Sequence, residues 1–63
     1  MKINKQVKNN LEGQDGNSIA ILTTWRRQAI REGWDNIEIK YVLDKAAEGD
    51  YYHLLNVIQT YSY

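Results

Sequence analysis

The sequence has no cysteine, no proline and no phenylalanine, and its 63 residues include a single histidine. Without cysteine, neither a disulfide nor a thiolate metal site can hold the fold. One histidine likewise excludes a metal site built from several imidazoles. A chain this short buries only about 60% of its unfolded surface. Stability must therefore come from helix packing, from the two tryptophans and five tyrosines, or from self-association. A homodimer is one expectation.

Long apolar runs are also missing, and none approaches the roughly 20 residues that a membrane-spanning helix needs. Residues 1–5 lack the apolar stretch of a signal peptide. We therefore expect neither a membrane span nor a leader. A cytoplasmic location is the corresponding expectation, and the absence of cysteine is compatible with it.

Charge of one sign is not in excess overall, because the formal net charge is zero, but the two halves differ. Residues 1–31 hold six basic and two acidic side chains, a net charge of +4, whereas residues 32–63 hold two and six, a net charge of −4. Such a chain can pair its halves internally or between copies. Ordinary solvated faces with both signs of charge explain the same pattern.

A corner between two helices is the clearest local signal. Gly33 suits the left-handed position after a helix, because it lacks a Cβ. Asp35 suits an N-cap, and Glu38 can reach back to the Asp35 N–H as in a capping box. Trp34 precedes the cap and Ile39 occupies the fourth helical position, so the two can form a hydrophobic staple.

Apolar spacing predicts three helices at about residues 18–32, 36–48 and 51–61. A breaker cluster at residues 13–17 precedes the first, with Asn17 or Asp15 as its cap. Gly49 is predicted to end the second helix and Asp50 to cap the third. The predicted core stripes are Ile21, Leu22, Trp25 and Ala29; Ile39, Val42, Leu43 and Ala46; and Tyr51, Leu54, Leu55 and Ile58. Two further apolar residues lie off the first stripe and could face the N-terminal segment or a partner: Ile19 and Ile30.

The N-terminal segment, residues 1–12, admits more than one structure. Ile3, Val7 and Leu11 recur every four residues, which hints at one helical face, but the asparagines weaken a helix there. A short strand or an extended arm laid over the helices fits equally well. The predicted fold is thus mainly α: a compact three-helix domain over residues 13–63 with an N-terminal arm or short strand.

Candidate catalytic residues are few. His53 could serve as a general base, but no serine or carboxylate is placed to complete a catalytic set with it, so a first-turn helical residue is the better interpretation. The carboxylates are better explained as helix caps and solvent-facing charges. Residues 13–17 lack the Gly-Lys-Ser/Thr of a phosphate-binding loop and the spaced ligands of a calcium loop. We expect no enzymatic activity, no metal and no cofactor.

A basic surface is the strongest candidate for binding. Arg26, Arg27 and Arg31 project from the first helix, and Lys5 and Lys8 lie in the N-terminal segment. Arginines can form bidentate bonds to the carboxylates of a protein partner or to phosphates. The sequence predicts these five residues as the partner-binding face.

Nucleic acid is the weaker of the two partner classes. The predicted corner has the form of a helix-turn-helix, but the helix that would enter the groove carries mostly acidic side chains. The chain is also neutral, whereas nucleic-acid-binding domains are typically basic. A regulator that uses the basic face of the first helix and the N-terminal arm remains the alternative.

Several short motifs between residues 12 and 58 together resemble a group of small helical proteins of bacteriophages and bacterial genomes that has no assigned function. They are Asp15-Gly16-Asn17, Arg26-Arg27, Arg31-Glu32-Gly33-Trp34, Glu38-Ile39 and Gly49-Asp50-Tyr51-Tyr52-His53-Leu54-Leu55. The resemblance implies a phage or prophage context and hence a host cytoplasm. By analogy it favours a non-enzymatic interaction module, one that modulates or inhibits a host protein.

Overall fold

Three helices make up most of the protein in the computed structural model, which describes residues 2–8 and 18–63. They are α1 (Ser18–Arg31), α2 (Asn36–Ala46) and α3 (Tyr51–Thr60). The predicted mainly α, three-helix fold is confirmed, and the helices end only slightly before their predicted limits. The predicted breaker cluster at residues 13–17, its cap and Leu11 lie outside the described residues.

The corner between α1 and α2 is built as its sequence predicts. Gly33 adopts the left-handed conformation with φ of 86°. Its N–H donates to the Ile30 carbonyl at 3.1 Å, and the Trp34 N–H donates to the Ala29 carbonyl at 3.1 Å. These two bonds form a Schellman motif and satisfy carbonyls that the end of α1 would otherwise leave unpaired.

The start of α2 uses the predicted Asp35 cap. The Asp35 N–H donates to Glu38 Oε1 at 3.0 Å, which is the reach-back bond of a capping box. Trp34 and Ile39, the predicted staple pair, are both buried in the same core cluster. The entry and exit angles of this corner are therefore set by local hydrogen bonds and by one shared apolar cluster.

Gly33→Ala is expected to lower the free energy of unfolding by about 1–2 kcal/mol, because an L side chain is strained at a left-handed φ. An added Cβ would meet no atom within 4 Å, so the loss should come from the backbone alone. Urea unfolding followed by circular dichroism measures it. Gly33→Asn is the control and should cost less, since asparagine tolerates this conformation. An alanine variant as stable as the wild type would contradict the assignment.

Gly49, at the corner between α2 and α3, is needed for space and not for a positive φ. Of the described glycines only Gly33 has a positive φ. A Cβ on Gly49 would lie 2.7 Å from His53 Cβ, which is too close for real atoms. The His53 ring crosses this corner, and its Nε2–H donates to the Lys45 carbonyl at 2.8 Å. Asp50 caps α3 as predicted, its Oδ1 accepting from the His53 N–H at 2.9 Å.

The core lies where the three helices and the N-terminal arm meet. Trp25 and Trp34 pack edge to face at its centre, with ring centroids 5.2 Å apart and an interplanar angle of 82°. All three helices and the arm contribute buried side chains, which are Val7, Ile21, Trp25, Ala29, Trp34, Ile39, Val42, Ala46, Leu54 and Ile58. Each helix and the arm thus contribute at least one side chain to this small core.

Residues 2–8 form the arm, which is neither a helix nor a full strand. Val7 makes one parallel bridge with Ser62 beyond the end of α3. The Val7 N–H donates to the Tyr61 carbonyl at 2.9 Å, and the Tyr63 N–H donates to the Val7 carbonyl at 3.0 Å. The Tyr61 carbonyl also accepts from Trp25 Nε1 at 3.1 Å. The arm, α1 and the C-terminal residues are thus joined at one carbonyl.

Candidate functional site

The three predicted arginines of α1 project in different directions from the helix. All are exposed, and none of their side chains makes a hydrogen bond or ion pair with the residues that the structure describes. Arg27 and Arg31 are four residues apart and share a face of α1. Arg26 lies about 100° around the helix from Arg27 and further from Arg31. Arg26 instead borders a groove between α1 and α2.

Lys5 of the arm is engaged within the fold. Its Nζ lies 2.7 Å from Glu38 Oε1 and 5.8 Å from the centre of the Trp34 ring. The hydrogen bond from Lys5, followed by the one from the Asp35 backbone, lowers the pKa of Glu38 below its ordinary 4.5. Glu38 therefore joins the arm to the first turn of α2, and a role for Lys5 in binding a partner stays a prediction.

Lys8 is held through its backbone. The Lys8 N–H donates to Glu32 Oε2 at 2.8 Å, and Gln28 Nε2 donates to the same oxygen at 2.8 Å. The Gln28 hydrogen bond, then that of the Lys8 backbone, lowers the pKa of Glu32 from 4.5. The Lys8 side chain is exposed, and its predicted role in partner binding likewise stays a prediction.

Low pH is expected to weaken the attachment of the arm to the helices and so to lower the stability of the fold. The folded pKa values of Glu32 and Glu38 lie below 4.5, so their stabilising contribution is present above that value and is lost as the pH falls below it. We expect the urea concentration at the midpoint of unfolding to be lower at pH 3 than at pH 6. The double variant Glu32→Gln/Glu38→Gln should show a weaker fall, whereas Glu48→Gln, the control, should behave as the wild type. Equal falls in all three proteins would contradict the assignment.

The groove beside Arg26 is a concave feature with a mostly apolar lining. Its volume is about 360 Å³. Seven residues of α1 and α2 line it: Arg26, Ile30, Asn36, Ile39, Lys40, Leu43 and Asp44. Ile39 forms the buried floor and Leu43 is half-buried. On the rim, Lys40 Nζ and Asp44 Oδ2 are 2.6 Å apart, so these two charges compensate each other.

A stripe of exposed residues with an isoleucine at each end, separate from the core, runs along α1 and leads into this groove. Ile19, Thr23, Arg26 and Ile30 are spaced by four, three and four residues, which places them on one side of the helix. We call these four residues the outer stripe. Ile19 is 74% exposed and Ile30 is 50% exposed. Residues 9–17 lie outside the described residues, so the two alternatives given above, the N-terminal segment and a partner, both stay predictions for these isoleucines.

The sequence sets Ile19 and Ile30 apart from the core stripe, but its basic residues group Arg26 with the other arginines. The spacing from Ile19 through Arg26 to Ile30 was the signal that could have placed Arg26 with the apolar residues instead. No sequence pattern predicts the groove itself, because the groove depends on how α1 and α2 pack against each other. Leu43, predicted as core, lies half-buried at the edge of the groove.

Other kinds of site have little support in residues 2–8 and 18–63. No group of three or more histidine, aspartate or glutamate side chains there is arranged to hold a metal ion. The only histidine, His53, is engaged at the corner between α2 and α3. No helix within these residues is both long and apolar enough to cross a bilayer.

Comparison with known proteins does not add a relative. The chain matches no protein-family model, and neither the curated proteins nor the solved structures searched contain a match to it.

Proposed function

We propose that this protein is a small protein-interaction module that acts by binding a partner and not by catalysis. The observation that carries the proposal is the outer stripe, in which two exposed isoleucines flank an arginine without an ion pair among the described residues. The stripe extends over 12 residues of α1, an axial rise of about 16 Å from Ile19 to Ile30. That length suits contact with an element of another protein.

The exposure of Ile19 and Ile30 on one side of α1 is explained by binding to another molecule. A single exposed apolar residue is ordinary on a protein surface, but aligned ones beside an apolar groove mark interaction sites. Isoleucine is a weaker helix former than alanine or glutamate, so helix stability does not favour it here. Burying one such side chain fully stabilises a complex by about 1.5–3 kcal/mol. The outer stripe is therefore better suited to a complex than to solvent.

Arg26 adds specificity to this apolar surface. Arginine is enriched at protein interfaces, where its planar guanidinium can bind a carboxylate through two parallel hydrogen bonds. Following the resemblance to phage proteins, we propose a host protein as the partner, bound in the host cytoplasm, with modulation or inhibition of that protein as the outcome.

The test is recovery of a partner from the organism that encodes the chain. A tagged wild type should co-purify a protein that the variant Ile19→Ser/Ile30→Ser loses at least about tenfold, the equivalent of roughly 1.4 kcal/mol. Tyr52→Ser is the matched control, because Tyr52 is 75% exposed on α3, away from the stripe. Circular dichroism checks that each variant is folded. Equal recovery by both variants, or no recovery by the wild type, would contradict the proposal.

A nucleic-acid-binding regulator is the second candidate, supported by the exposure of Arg27 and Arg31 on a shared face of α1. Such a protein should bind a mixed DNA and RNA pool at low salt and lose the binding steeply as salt rises. The variant Arg27→Glu/Arg31→Glu should abolish that binding. A pool that does not bind at low salt excludes this candidate.

A further inference from the structure

We propose that the groove between α1 and α2 binds an acidic amphipathic helix of another protein. Apolar side chains of that helix enter the groove against Ile30, Ile39 and Leu43, and one of its carboxylates pairs with Arg26. This inference rests on the proposed function and names the class of partner. The size of the groove, about 360 Å³, lies at the lower end of the range for binding pockets, roughly 300–1,000 Å³.

The charge at the groove selects an acidic partner. Lys40 and Asp44 pair with each other on the α2 rim. Arg26, on the α1 rim, has no such partner among the described residues. The rim as a whole therefore presents one uncompensated positive charge beside an apolar floor. A carboxylate placed next to an apolar side chain complements both features at once.

The outer stripe of a second copy is a poor occupant of the same surface. The sequence of α1 contains no aspartate or glutamate. If the outer stripes of two copies packed together, the Arg26 side chains would be brought towards each other, and the facing helix would supply no carboxylate to either of them. Like charges brought together at an interface oppose association. The charge pattern therefore disfavours contact of α1 with α1 and favours a helix with acidic side chains, which we assign to a different protein.

A helix fits the shape better than an isolated side chain does. The outer stripe is straight, covers about three turns of α1 and leads into the groove. A partner helix can lie along it and present apolar residues at i, i+3, i+4 and i+7, as in other helix-in-groove complexes. Its ridges would pack between those of α1 and α2.

Two synthetic peptides test the proposal. The first is an 18-residue helix, about five turns long, with leucine at i, i+3, i+4 and i+7 and glutamate on both flanks of that stripe. The second has glutamine in place of every glutamate. Titration of ¹⁵N-labelled protein is expected to shift the resonances of Ile30, Ile39 and Leu43 with the acidic peptide. The glutamine peptide should bind at least about fivefold more weakly.

Variants of neighbouring arginines make the test specific. Arg26→Gln should weaken binding of the acidic peptide about fivefold, whereas Arg27→Gln, one residue away on another face, should leave it unchanged. Equal binding of both peptides, no shift at the groove, or a larger loss with Arg27→Gln would overturn the proposal. So would stronger groove shifts with an oligo-dT strand, or a dimer in analytical ultracentrifugation that Ile30→Ser disrupts.

Failure of this inference can be told apart from failure of the proposed function. If the cellular partner is lost with Ile19→Ser/Ile30→Ser but fully retained with Arg26→Gln, the protein is an interaction module whose partner is not chosen by acidity. If neither variant affects recovery of the partner, the outer stripe is not the contact surface and both proposals are wrong.

Discussion

Trp25→Ala is expected to lower the free energy of unfolding by about 3–5 kcal/mol, the range for removing a large aromatic side chain from a core. Trp25 is fully buried and packs against Trp34 at the centre of the molecule. A 63-residue domain has a total stability of only about 3–9 kcal/mol. The variant should therefore lose a large share of its stability, which an earlier urea midpoint and a weaker helical circular dichroism signal would show.

Trp25→Phe separates the packing of the ring from its hydrogen bond. Phenylalanine keeps an apolar ring but cannot donate to the Tyr61 carbonyl, which the indole does at 3.1 Å. That carbonyl still accepts from the Val7 N–H, so it is not left unpaired. We expect a loss of about 1–2 kcal/mol from the missing hydrogen bond and the smaller ring. An alanine variant as stable as the phenylalanine variant would show that the indole does not organise the core.

Val7→Asp is expected to detach the arm and lower the free energy of unfolding by about 1.5–3 kcal/mol, roughly the value of burying one valine side chain. Val7 is fully buried, and a lone carboxylate cannot remain in an apolar core. Release of residues 2–8 limits the cost, because the arm regains chain entropy as it leaves. Helix content should persist while the contacts between the arm and the C-terminal residues disappear.

Hydrogen exchange followed by NMR measures this release. The amide of Tyr63, which donates to the Val7 carbonyl, should lose its protection, whereas amides in the middle of α2 should keep most of theirs. Asn4→Asp adds the same charge at an exposed position of the same arm and serves as the control. Equal effects of the two aspartates, or complete unfolding of the Val7 variant, would contradict a separable arm.

The positions of the helices and the corner at Gly33 were predictable from sequence for a common physical reason. Caps, staples and the left-handed glycine act over about four residues, so their residues occur together in the chain. Gly49 shows the limit of that reasoning. The sequence predicts a helix end there, but the need for glycine depends on the His53 ring, which crosses the corner and leaves no room for a Cβ.

The same limit applies to the candidate site. Sequence reasoning brought five basic residues onto one face, whereas the structure separates Arg26 from Arg27 and Arg31 and engages Lys5 with Glu38. Helical periodicity alone is enough to assign Arg26 to the same side of α1 as Ile19 and Ile30. It could not reveal that this side leads into a groove, because the crossing of α1 and α2 is set by core packing.

Two properties of this protein thus have different origins. Its three helices and their capped corner follow from residue types a few positions apart, because helix signals are local. The placement of the arm, in which Gln6 donates to the Thr60 carbonyl 54 residues away, depends on tertiary packing. So does the groove beside Arg26. Contacts over such separations form only when all three helices pack together, and no pattern within one segment records them.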